Sequence, residues 1–196
     1  MNNLPTRSGA LASILLFFVS LGGKAAEAGS QMGLSAEEFL DAKGNMIFPA
    51  DKIDYRRNWS YLGNWLVPAG ADSKGFHEVF AQKEAVDFFR KNNRFADGTV
   101  LIKEIRDFQR SNLTTGKEVY HLGANKIWFV MIKDKDGKHK GPNWGDGWGW
   151  GLFKVGSSAN QSSNYRVDCL GCHVPAKNDD WVYLKGYPTL KQQPFR

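Results

Sequence analysis

The 196 residues contain two cysteines, and they stand together in Cys169-Leu170-Gly171-Cys172-His173, 24 residues from the C-terminus. The chemistry behind C-x-x-C-H is specific. Two thiols one helical turn apart add across the two vinyl groups of a haem, and the adjacent imidazole falls beneath the iron as its proximal ligand. A chain built this way must fold around a flat macrocycle. Two rival readings of the motif remain. A structural zinc site needs four N or S ligands, and Cys169, Cys172 and His173 lack an obvious fourth nearby. A thioredoxin-like redox pair sits near the start of a βαβ unit rather than at the far end of a chain. The motif is read as the attachment site of one covalently bound haem c, with Cys169 and Cys172 as thioether positions and His173 as the metal ligand.

The position of the motif sets this chain apart from small electron carriers, in which C-x-x-C-H lies near the N-terminus and a downstream methionine is the sixth ligand. No methionine follows His173; Met46, Met131, His77, His121 and His139 all precede it. Each of these five has an ordinary structural role available, so a vacant distal position is expected. Iron with an open face binds or transforms small molecules, whereas iron capped on both sides mainly passes electrons.

The start of the chain has the form of a secretory signal: Arg7, then an apolar run over 10–21, then Ala26-Glu27-Ala28 as a cleavage site. This predicts a signal peptide over 1–28, a mature domain over 29–196, and a periplasmic or secreted location. The apolar run is shorter than the roughly 20 residues a membrane-spanning helix needs. Removing Arg7, Lys24 and Glu27 leaves 24 basic against 19 acidic residues, a modestly positive surface. The densest basic stretch, over 133–140, has Asp134 and Asp136 interleaved with its lysines, so no nucleic-acid partner is expected.

The full sequence is 42% hydrophobic and 23% charged, a balance that lets the mature domain bury a core without disulfides. Its patterning predicts strands over 59–68, 75–81, 99–106, 127–132 and 147–155, and helices over 35–44, 84–92, 168–173 and 179–183. Asp136-Gly137 reads as a hairpin tip. Helices and strands do not alternate regularly. The fold class is therefore α+β, a single domain rich in antiparallel sheet with a few helices and a C-terminal c-type haem motif.

One residue breaks the strand pattern. In 99–106, Leu101, Lys103 and Ile105 share a face while Val100, Ile102 and Glu104 share the other. Lys103 thus stands between two aliphatic side chains, where an ammonium must snorkel, pair or take part in chemistry. Glu104 points the opposite way and is no partner for it.

Several segments together resemble the cytochrome P-460 family: Phe95-Ala96-Asp97-Gly98-Thr99-Val100-Leu101-Ile102-Lys103-Glu104, the C-x-x-C-H near the end, the tail Asp180-Trp181-Val182-Tyr183-Leu184-Lys185-Gly186-Tyr187-Pro188-Thr189-Leu190, and the shorter runs Tyr55-Arg56-Arg57-Asn58-Trp59 and Gly149-Trp150-Gly151-Leu152-Phe153. The resemblance implies a periplasmic, β-rich homodimer whose haem iron is five-coordinate on His173. It also implies that Lys103 binds the cofactor, bonded through its side-chain nitrogen to a meso carbon of the porphyrin. A lysine consumed in that way carries no buried ammonium.

What the resemblance implies for activity is oxidation of hydroxylamine to nitrogen oxides, with electrons leaving to a redox partner such as another cytochrome. Related cytochromes c-prime-beta instead bind nitric oxide or carbon monoxide, and an electron-transfer cytochrome is the third reading. In hydroxylamine-oxidising relatives a carboxylate overhangs the distal face from a segment shortly before the first haem cysteine. The corresponding stretch, residues 157–164, holds no Asp or Glu and offers Asn160 and Gln161; Asp146 is a more distant carboxylate. The glycines around Trp144, Trp148 and Trp150 would let a flat ring approach the backbone. Phe76, Phe80, Phe88, Phe89 and Phe153 are the phenylalanines considered for the face toward the iron.

Overall fold

The computed structural model describes residues 35–71 and 73–191. Strand alternation around Lys103 organises everything else. The strand that carries it, β3 (Val100–Leu113), is central in a six-stranded sheet of order β1-β2-β3-β4-β6-β5. The others are β1 (Ser60–Val67), β2 (Gly75–Ala81), β4 (Gly116–Lys133), β5 (Trp144–Gly145) and β6 (Trp148–Lys154), and every neighbouring pair is antiparallel. This is the α+β, antiparallel architecture that the sequence pattern predicts.

Register decides which side chains meet. Leu101 lies opposite Met131, which lies opposite Trp150; Lys103 lies between Val79 and Phe129. On this face, Val79, Leu101, Met131 and Trp150 join a core completed by the helix α2 (Lys83–Asn92) and the C-terminal segment, through Val86, Phe89, Trp181 and Tyr187. On the other face, Val100, Ile102, Val130, Ile132 and Phe153 meet Phe39, Phe48 and Trp59 from the N-terminal segment and Tyr55 from the short helix α1 (Tyr55–Asn58). Each fully buried aliphatic or aromatic side chain of this kind is worth about 2 kcal/mol. Both faces are thus covered, and neither could be inverted by a one-residue slip without placing Glu104 where Lys103 stands.

Gly63 sets the height of the C-terminal segment over β1. A Cβ there would fall 2.1 Å from the carbonyl oxygen of Gly186, so the 3₁₀ turn Leu184–Gly186 rests directly on the strand backbone. Gly149 does the same for an aromatic ring, since Trp144 lies flat where its Cβ would be.

Four local expectations are corrected. The helix predicted over 35–44 is a single 3₁₀ turn, Ala36–Phe39. The Asp41 carboxylate accepts hydrogen bonds from the backbone N–H of Lys43 and Asn45 and from the Asn45 side chain, closing a turn that helix would prevent. The strands predicted over 99–106 and 127–132 run on, through β3 and β4, into a two-stranded ribbon beyond the sheet. The segment predicted as helix over 168–173 is two short helices, α3 (Tyr165–Asp168) and α4 (Leu170–His173), broken at Cys169. Finally, the helix expected over 179–183 is displaced by a 3₁₀ turn, Val174–Asp179, ending in left-handed residues Asp180 and Trp181 at φ 58° and 64°.

Among the described residues no helix is long and apolar enough to cross a membrane. The signal segment predicted over 1–28 lies outside them.

Candidate functional site

Lys103, Cys169, Cys172 and His173 line one cavity of about 390 Å³, a volume in the range of small-molecule and cofactor sites. Lys103 lies 66 positions before Cys169 in sequence, and the four residues come from two layers. The sheet contributes Val79 and His77 from β2, Leu101, Lys103 and Ile105 from β3, and Phe129 and Met131 from β4. The C-terminal segment contributes the motif together with Tyr183 and Tyr187, and Trp150 of β6 closes the wall beside them.

The motif is held from several sides. Asn164 caps α3 by accepting from the Arg166 N–H. The Asp168 carboxylate, which also reaches the cavity, accepts from Ser162 Oγ (3.0 Å) and from the N–H groups of Ser163 (2.9 Å) and Asn164 (3.1 Å). Those bonds hold its pKa below the ordinary carboxylate value. Tyr183 donates its hydroxyl to the Cys172 carbonyl.

His173 Nδ1 donates to the Trp181 carbonyl at 2.7 Å, which leaves Nε2 with its lone pair free for a metal. The ring stands edge-on to Trp150, centroids 4.9 Å apart. Burial lowers its pKa, the bond to Trp181 opposes that shift, and Lys103 adds to it, so the neutral ligand form is favoured.

Both cysteines are free, Cys169 half-buried and Cys172 exposed. Burial pushes the Cys169 thiol up to about 11. A thioredoxin-like nucleophile has a depressed pKa, so this environment speaks against the redox-pair reading. Among the described residues no cluster of three or more His, Cys, Asp or Glu could hold a metal ion, and no fourth zinc ligand accompanies the motif.

Lys103 behaves as the strand pattern requires. Its ammonium lies 4.3 Å from the centroid of the Phe129 ring, and burial depresses its pKa, with the two cysteines pulling weakly the other way. Phe129 was missed by sequence reasoning, although its register opposite Lys103 follows once β3 and β4 pair. Of the phenylalanines expected near the iron, Phe80 and Phe153 lie in the core on the opposite face, and Phe89, on α2, packs into the core of the near face without lining the cavity. Of the tryptophans near the glycine run, Trp150 reaches the cavity while Trp144 covers the far face.

The five upstream ligand candidates separate clearly. Met46 is in the opposite core, His121 is bonded to Ser111 in the ribbon, and His139 stacks on Trp144. Met131 and His77 line the cavity. His77 is buried, with Nε2 donating to the Ser73 carbonyl at 2.7 Å and Nδ1 without a partner among the described residues. Burial lowers its pKa, so it is a neutral imidazole. The distal candidates from the loop do not arrive: Asn160 is spent on the backbone of Trp150, Leu152 and Ser162, and Gln161 on Ala159. Asp146, at φ 54°, accepts from Tyr165 and serves the turn between β5 and β6.

The reverse face of β3 holds a second missed constellation. Glu104, fully buried, accepts from the Tyr55 hydroxyl and from Arg56, with Arg106 at 3.6 Å and Asn125 at 3.5 Å. Arg56 also reaches Glu78 at 2.9 Å, and Trp128 Nε1 donates to the Tyr55 oxygen at 2.8 Å. Adjacent Lys103 and Glu104 therefore anchor opposite sides of the same strand.

An apolar and aromatic cavity with two thiols and a metal-ready imidazole on one wall is a donor set that fits a c-type haem, with Cys169 and Cys172 toward the vinyl groups and His173 toward the iron. The family comparison agrees with that class. The family description Cytochrome P460 matches residues 53–184, more than half of the sequence, and the chain belongs to this family of c-type haem cytochromes. No curated protein matched the chain.

Proposed function

We propose that this protein is an exported, mono-haem cytochrome that oxidises hydroxylamine. The observation that carries the reading is the convergence of Lys103 with Cys169, Cys172 and His173 on a single cavity. When bound, the haem supplies an iron with one open position and a reservoir for single electrons.

The chain's own residues do the rest. Cys169 and Cys172 would tether the ring, and His173, its tautomer set by Trp181, would hold the metal from one side. Lys103 would hold the porphyrin edge from the sheet side of the cavity. A bond from its Nζ to a meso carbon would remove one hydrogen from each atom and would need a two-electron oxidant of the peroxide class, reduced to water. Phe129, Val79, Leu101 and Trp150 keep bulk water from the substrate. His77, neutral and buried, is the cavity's proton acceptor. Conversion of two hydroxylamine molecules to nitrous oxide and water releases four protons and four electrons, the latter to an external one-electron acceptor such as another cytochrome.

The resemblance to homodimeric relatives gains support from the ribbon. Strand residues 108–122 pair only with one another and expose Leu113, Tyr120 and Leu122, and an isolated two-stranded hairpin is marginal in water. A second copy of the chain is the occupant proposed for that surface.

The apolar walls favour a second reading, a binder of nitric oxide or carbon monoxide. Anaerobic mixing with hydroxylamine and an electron-accepting dye separates the two. Dye reduction supports the oxidase; its absence, with a ferrous spectrum that still shifts on adding nitric oxide, supports the gas binder. A red-shifted Soret band is expected from the cross-linked ring, and an ordinary c-type spectrum would remove the cross-link.

A further inference from the structure

The proximal imidazole depends on an unusual piece of backbone. Trp181, whose carbonyl receives the His173 Nδ1–H, and Asp180 before it both occupy the left-handed region. Non-glycine residues resist that region, and two in succession persist only where surrounding contacts over-determine them. The contacts are on view. Lys133, at the end of β4 and only 7% exposed, pairs with the Asp180 carboxylate at 2.6 Å. Its ammonium lies 4.6 Å from the centroid of the Trp148 ring, and Trp148 Nε1 donates to the Asp180 carbonyl at 3.1 Å. The Trp181 N–H returns to the Ala176 carbonyl at 2.9 Å. A rigid strand end is thereby bolted to the turn that aims a carbonyl at the metal ligand.

We propose that Lys133 and Asp180 are positioning residues for the proximal ligand: their ion pair fixes the Trp181 carbonyl against His173 and so sets the electron donation of the imidazole to the iron. Neither touches the cavity. A hydrogen-bonded carbonyl makes the imidazole a stronger donor, which stabilises the oxidised metal and strengthens the metal–nitrogen bond. Loosening the turn weakens both effects. The inference rests on the reading that His173 binds haem iron.

The test uses haem-loaded Lys133→Met, Asp180→Gly and Lys133→Arg proteins. Glycine accepts a φ of 58° without strain, so Asp180→Gly removes the carboxylate while leaving the turn sterically permitted. Two readouts are taken, the iron–histidine stretch of the ferrous protein by resonance Raman and the midpoint potential by equilibrium titration. In Lys133→Met and Asp180→Gly the stretch is expected to fall and the potential to rise, while Lys133→Arg keeps both near the parent values. If Lys133→Met does not fold, Asp180→Gly, altered at a side chain 36% exposed, decides alone. An unchanged stretch and potential in haem-loaded Asp180→Gly would overturn the positioning role and leave the ligand assignment standing. Absence of any iron–histidine band in the parent protein would overturn both.

Discussion

Glu104→Gln removes one negative charge from a side chain with no solvent exposure and leaves its shape almost intact. The parent carboxylate receives the Tyr55 hydroxyl and the Arg56 guanidinium, with Arg106 close by. Hydrogen bonds to charged groups are worth about 1.5–3 kcal/mol each, and stripping one partner from a buried pair costs about 3–5 kcal/mol. The lower end applies. Arg56 is 39% exposed on its side chain and keeps Glu78, so it is not stranded, and the glutamine oxygen can still accept from Tyr55. The expected loss is about 3 kcal/mol, which for a domain of this size lowers the midpoint of thermal unfolding by roughly 6–12 °C. Circular dichroism on haem-loaded parent and variant at neutral pH measures it. A drop below about 2 °C would refute the reasoning, because the cluster would then be too hydrated to anchor the strand from behind.

Other expectations concern the cavity and the ribbon. Lys103→Ala should retain haem through both thioethers yet lose the red shift, and peptide mass spectrometry reads whether the ring is held at two points or three. His173→Ala should fail to accumulate holoprotein, as judged by haem-stained gels. His77→Leu should slow hydroxylamine-dependent dye reduction by roughly a hundredfold or more at unchanged haem content, the usual scale of a lost proton acceptor. Since the pKa of His77 is depressed on folding, the unfolded chain binds more protons below its ordinary value of about 6.5. Its share of stability is present above that pH and lost as the pH falls toward the folded value, so the variant should show a flatter decline in thermal midpoint between pH 7 and 5. Leu122→Glu should shift the sedimentation of the assembled protein to that of a single chain; if the parent already sediments as a monomer, the dimer assignment fails.

The site was legible in sequence to the extent that chemistry is local. C-x-x-C-H announces its cofactor in five residues, and Lys103 announces itself by sitting out of phase between Leu101 and Ile105. What could not be read depends on register and on backbone conformations without a residue signature. Phe129 is one aromatic in an apolar run until β3 and β4 align it with Lys103. The ribbon escaped because its polar and charged residues, such as Asp107, Gln109 and Glu118, carry no buried face, only a mutual pairing. Asp180 and Trp181 resemble helix or loop in composition, and nothing in their identities announces left-handed angles. Glu104 was placed on the correct side of its strand, but its partners Tyr55 and Arg56 come from a helix of four residues nearly fifty positions earlier.

The order of the elements along the chain has a consequence for biosynthesis. Every strand of the sheet is complete by Lys154, whereas the thiols at Cys169 and Cys172 leave the ribosome, and then any export channel, afterwards. The wall bearing Lys103 can therefore assemble before Cys169, Cys172 and His173 are available to any cofactor, which would meet a half-built cradle rather than a loose thread. Residues 155–191 would then close last, over a cofactor already resting against that wall.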